Sequence, residues 1–193
     1  MGALVESSFR LAHQSLFERD VQAAQQIAAI DLTIDKFYRS IEEECAEIMA
    51  LASPVAQDLR LLSAFMQMVR DLERIGDSAQ DLGEIALKLF PYPPHPCLSE
   101  IERMSDRARE MLGCSLAALA DLDGEAGAIV HRLDDEVDRA YDDIYRTLAL
   151  QENVPGVVEP IILLALTIRH LERMADRATN IAHRITFIVT GQR

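Results

Sequence analysis

The sequence predicts an all-α protein built as two tandem three-helix bundles related by internal duplication. Three observations point there. Helical periodicity runs through nearly all of the chain, and no stretch sustains the two-residue alternation of a half-buried strand. The segment RDLERIGDSAQDLGE at 70–84 returns as RHLERMADRATNIAH at 169–183, with six of thirteen positions identical between 70–82 and 169–181. An upstream block repeats in the same order: DLTIDKFY at 31–38 aligns with DDEVDRAY at 134–141. Two blocks copied in one order mean a duplicated unit.

The elements follow from local signals. A first helix covers 3–18 and gives way at Glu18-Arg19-Asp20. A second runs from Val21 to Leu51, with Asp20 placed to cap it. Ser53-Pro54 signals the start of a third, because serine caps and proline fits a first turn. That helix continues to Leu89. Prolines at 91, 93, 94 and 96 then exclude helix, which sets a linker at 91–97 between bundles at 1–90 and 98–193. SEIE at 99–102 reads as a capping box opening a fourth helix that lasts to Leu122. DLDGEAG makes a turn, a fifth helix covers 125–151, and NVPG opens a sixth that reaches Val189. Pro160 lies near the start of that last helix and places its regular part from there.

Composition narrows the function. The chain has 193 residues, ample for a core at 49% hydrophobic, with no tryptophan and 5% aromatics. Packing therefore falls to Leu, Ile, Ala and Met, and Met66, Met68, Met104, Met111 and Met174 read as core filler. Thirty-two acidic against 19 basic residues give a formal charge of −13. Nucleic-acid binding, which neutralises phosphates with Lys and Arg, is not expected. Cation binding or a basic partner is compatible. Three scattered cysteines without a CxxC read as reduced thiols in a cytoplasmic setting. The opening residues lack the basic and apolar regions of a signal peptide, and IILLALTI at 161–168 is too short to span a bilayer.

The acids carry the chemistry. Each half places one i,i+4 pair on its second helix, Asp31/Asp35 and Asp134/Asp138, and one on its third, Glu73/Asp77 and Glu172/Asp176. Like charges one turn apart repel by roughly 0.2–0.5 kcal/mol. Taken singly, such pairs also suit a solvated edge with local ion pairs: Arg70–Glu73, Arg74–Asp77, Arg169–Glu172 and Arg173–Asp176. Taken together, they predict four converging carboxylates in each half, a hard-oxygen set for Mg²⁺, Mn²⁺, Ca²⁺ or iron. A ferritin-type di-iron site is excluded, since no histidine follows a glutamate by three residues. His170 and His183 replace acids of the first copy and read as surface polar residues. No P-loop, HExxH, nucleophile elbow or dinucleotide fingerprint occurs, so no enzyme is expected.

PVAQDLRLLSAFMQMVRDLERIGDSAQDLGEIA resembles the signature segment of the PhoU family, regulators of bacterial phosphate uptake. FERDVQAAQQIAAIDLTIDKFYRSIEEE is similar to the helix that precedes it, and LERMADRATNIA to its degenerate second copy. The opening segment is shorter than is common in the family, which implies a first helix short of a turn or more. The resemblance implies a cytoplasmic, non-enzymatic negative regulator of the phosphate-starvation response. Its implied partners are the ATPase of the phosphate ABC importer and a phosphate-sensing histidine kinase; a homodimer is expected separately, from a bundle with a spare apolar face. It also implies divalent or trivalent metal ions (iron, manganese, magnesium or zinc) held by E/D-x-x-x-D motifs. These fall on Asp31, Asp35, Glu73, Asp77, Asp134, Asp138, Glu172 and Asp176, with Asp81 as an added ligand of the first site. The second site departs from the first in having Ala175 in place of Gly76 and His183 in place of an acid. An accessory subunit of another phosphate or ion carrier, a metal-buffering protein, and an enzyme working through the clusters are the alternatives.

Overall fold

The computed structural model describes residues 1–125, 127–151 and 157–191. Six helices account for the regular structure among them: α1 (Gly2–Phe17), α2 (Val21–Ala52), α3 (Ala56–Leu89), α4 (Leu98–Asp121), α5 (Gly127–Ala149) and α6 (Glu159–Thr190). They form two three-helix bundles in tandem. Within each bundle every helix packs on the other two, α1–α3 in the first and α4–α6 in the second. The bundles meet along α3 and α6 and again along α1 and α4.

Local chemistry explains most boundaries. Asp20 caps α2, its carboxylate accepting from the amides of Gln22 at 2.8 Å and Ala23 at 3.1 Å. That satisfies two of the amides a helix start leaves without intrahelical partners. Two expected starts are corrected. Ser53 caps no helix start: it ends α2 in the left-handed region (φ 45°), and α3 begins at Ala56 after Val55. A residue in the left-handed region closes a helix at its carboxyl end, so Ser53 serves the end of α2. Ser99 is likewise inside α4, which begins at Leu98 after Cys97 and has no side-chain cap. The chain already turns at His95, whose Nδ1 accepts from the Cys97 amide at 3.2 Å, so helical geometry starts earlier. The expected opening of α6 at Asn153–Gly156 lies outside the described residues, and the helix is described from Glu159 with Pro160 in its first turn.

One hydrophobic core runs through both bundles. Phe9, Ile27, Ile75, Met104, Val137 and Leu171, one from each helix, are all at most 1% exposed and belong to one cluster. Met68, Met104, Met111 and Met174 are fully buried as expected, while Met66 is half-buried. The α3–α6 contact is antiparallel: Gln67 meets Arg184, Asp71 meets Arg177, Asp81 meets His170, and Tyr92 beyond α3 meets Glu159. Residues 1–90 expressed alone would expose the α3 face that α6 covers. They are expected to melt without a cooperative transition, and to regain one when mixed with residues 98–193. A sharp two-state melt of the isolated segment would show that the halves are independent.

Candidate metal centre

Asp31 and Asp35 stand one turn apart on α2, and Glu73 and Asp77 one turn apart on α3. Residues four apart point along one helix face, so the packing of α2 on α3 brings these faces together. Gly76 assists the approach: a Cβ there would lie 3.1 Å from Ile34 Cδ1 and 3.4 Å from Asp31 Oδ1. As a result, oxygens of Asp31, Asp35 and Asp77 all lie within 4.8 Å of one another. Asp31 Oδ1 is buried and has no hydrogen-bond partner.

That placement changes the carboxyl chemistry. Burial, then the charges of Asp77, Asp35 and Asp81, push the Asp31 pKa up to about 6. Burial and Asp77 also raise Glu73, against the opposing charge of Arg74. The partner of Glu73 is Arg74 (Nε–Oε2 3.3 Å), not Arg70 as expected, and Arg74 also holds Asp77 at 3.2 Å. Glu73 lies beside the close three-aspartate group. Asp81, one turn beyond Asp77, places an oxygen 3.6 Å from His170 Nδ1 across the α3–α6 contact.

The second set is looser. Asp134 and Asp138 on α5 face Glu172 and Asp176 on α6 closely enough to perturb one another. Burial and then Asp138 raise Asp176, burial and then Asp176 raise Glu172, and Asp134 is raised mainly by burial. Asp134 Oδ1 is buried like its counterpart Asp31 Oδ1, but the Thr179 hydroxyl beside Asp134 opposes the rise. Both oxygens of Glu172, however, accept from Arg169 at 2.7 Å. Among the described residues only Asp31, Asp35 and Asp77 form a close group of three ligand-type side chains.

Several polar residues at the α3–α6 contact escaped the sequence reading. Asp71, 8% exposed, lies 2.9 Å from Arg184 and 3.5 Å from Arg177. Burial lifts its carboxyl above the usual range in spite of both arginines. His170 is not a surface residue: its side chain is 17% exposed, and burial lowers its pKa. His183 is exposed as expected. The spacing did hold a signal, because His170, Arg177 and Arg184 recur every seven residues and so share one face of α6. Where the first copy has Ser78 and Ile85, the second has those arginines. Cys97 has His95 Nδ1 at 2.9 Å from its sulfur, a base near a thiol that the sequence reading passed over. The thiol is 2% exposed and burial pushes its pKa up to about 11, so the pair is built as an inert structural contact.

Comparison with known proteins fits this architecture. The PhoU domain family matches the chain twice, over residues 1–86 and 101–185. A phosphate-specific transport system accessory protein PhoU homolog from Synechocystis is 62% identical over all of this chain and 86% of its own length. The chain belongs to the PhoU family. Escherichia coli PhoU, also named a phosphate-specific transport system accessory protein, is 32% identical over all of this chain and 80% of its own. The crystal structure of PhoU from Pseudomonas aeruginosa superposes with a TM-score of 0.95 at 34% identity, covering all of this chain and 93% of that one. PhoU from Streptococcus pneumoniae, titled a phosphate transport system regulatory protein, gives 0.89 at 26% identity over 99% of this chain and 90% of that one. As in the sequence reading, a PhoU fold of tandem bundles accounts for the duplicated acids. No helix among the described residues is long and apolar enough to cross a membrane.

Proposed function

We propose that this PhoU protein is a cytoplasmic, non-enzymatic negative regulator of phosphate uptake and phosphate-starvation signalling. In this reading it joins the ATPase of the phosphate ABC importer to a phosphate-sensing histidine kinase, and works as a homodimer. The names of its relatives support the link to phosphate transport. Residues 1–90 and 98–193, joined by 91–97, act as two halves that each present one carboxylate cluster.

The observation that carries the metal reading is the three-aspartate group with its unpartnered oxygen. Asp31, Asp35 and Asp77 would hold a divalent or trivalent ion, with Glu73 and Asp81 as flanking acids. Asp134, Asp138, Glu172 and Asp176 would hold a second. The donors are all oxygen, so they suit hard cations such as magnesium, manganese and iron, and zinc less well. A cation there relieves the mutual repulsion that raises Asp31, and satisfies the orphan Asp31 Oδ1. The bound charge could also be shared with carboxylates of a partner.

Elemental analysis of protein purified without added metal or chelator tests this directly. Glu73→Ala/Asp77→Ala should lose the metal of the first cluster and weaken capture of the kinase by about tenfold or more. Unchanged metal content together with unchanged capture would remove the metal from the regulatory reading.

A further inference from the structure

A cavity that none of the three aspartates lines lies where the start of α5 and the end of α6 meet α3. Its volume is about 670 Å³. That falls within the roughly 300–1,000 Å³ of small-molecule sites.

Its walls are built and differ in chemistry. One edge is held by the turn before α5, where Thr186 Oγ1 donates to Gly124 O at 2.9 Å and the Glu125 amide to Asp123 Oδ1 at 2.9 Å. His131 and His183 reach the cavity from α5 and α6, and the amino-terminal end of α5 opens onto it at Gly127 and Ala128. That end carries the positive pole of a 23-residue helix. Arg184 is fixed at its edge by Gln67 Oε1 at 3.2 Å, Asn180 O at 3.1 Å and Asp71 at 2.9 Å. Ala64, Ala128 and Phe187 supply an apolar wall.

We infer that this cavity binds a nucleoside phosphate. The phosphate belongs at the α5 terminus, between two imidazoles that donate hydrogen bonds to it, in a protein whose net charge of −13 otherwise repels anions. The volume and the Ala64, Ala128 and Phe187 wall call for an organic body beside the phosphate, with the Arg60 guanidinium backing the Phe187 ring 5.6 Å from its centre. Glu125 also lines the cavity. Its carboxylate disfavours a ligand that is anionic throughout, such as free phosphate, and accepts from the hydroxyl or amino groups that a nucleoside carries. Arg184 gives the site a route to the rest of the molecule, because it shares Asp71 with Arg177. The Glu73 charge in turn acts on Arg177.

Titration of the full chain with AMP, ADP and ATP tests this, with adenosine and inorganic phosphate as separate probes. A chelator is kept present, so that no metal bridges a nucleotide to the carboxylates. Saturable binding of a nucleotide is expected, with adenosine and phosphate each on the order of tenfold weaker or more. His131→Ala/His183→Ala, both exposed positions, should keep the melting temperature and weaken nucleotide binding by about tenfold. The inference is overturned by absence of nucleotide binding at about 1 mM, by equal binding of phosphate alone, or by undiminished binding in the double variant.

Discussion

Asp71→Ala is expected to unfold on the order of 10 °C below the parent chain. Asp71 is the single carboxylate between Arg177 and Arg184, and its side chain is 11% exposed. Removing it leaves two partly buried guanidinium groups without their nearest counter-charge. Breaking a buried pair by deleting one partner costs about 3–5 kcal/mol, because the stranded charge keeps its desolvation penalty. Arg177 is the more exposed to this penalty, since burial already lowers its pKa and its Nε has no hydrogen-bond partner. Adding Arg184→Met to Asp71→Ala removes one stranded charge and should recover part of the loss, a coupling that a thermodynamic cycle measures. A loss below about 1 kcal/mol for Asp71→Ala would mean that water reaches and solvates the arginines.

The second large effect concerns the first aspartate group without metal. Asp31 has a folded pKa of about 6 against an ordinary value of 3.8. At low pH both folded and unfolded chains hold this proton, and Asp31 has no effect on stability. As pH rises from about 4 to 6 the unfolded chain releases the proton while the folded chain keeps it, so stability falls across that window. Above it the full penalty remains. Metal-free Asp31→Asn should therefore be more stable than the parent at pH 7, with a flatter pH profile between about 4 and 6. A saturating hard cation reverses the order. At one hundred times its dissociation constant it stabilises the parent by about 2.7 kcal/mol. For a chain of this size that is roughly 5–10 °C. Asp31→Asn should gain much less. Chemical denaturation at several pH values, with chelator and then with Mn²⁺, reads both effects. A metal-free Asp31→Asn that is less stable than the parent at pH 7 would show that Asp31 is not strained.

Both experiments concern features that were read from the sequence to different depths. The acid pairs were legible, because i,i+4 spacing on a helix fixes a shared direction whatever surrounds it. Their ranking was not. Asp31, Asp35 and Asp77 converge while Glu73 turns to Arg74, and Glu172 is clamped by Arg169. Those outcomes depend on how closely α2 meets α3 and which arginine rotamers win, neither of which spacing specifies. His170 shows the same limit from the other side. On its own helix it sits between charged neighbours and reads as exposed, yet α3 covers it.

The sequence by itself determined six helices, their approximate ends, the duplication and the eight paired acids. All of these rest on interactions within a few residues, or on direct copying of one half into the other. The tertiary structure alone decided the antiparallel seating of α3 on α6. From that seating follow the buried Asp71–Arg177–Arg184 network, the covering of His170 and the cavity at the start of α5. Each depends on residues about ninety or more positions apart meeting across the two halves, and helical periodicity holds no information about which faces meet at that distance.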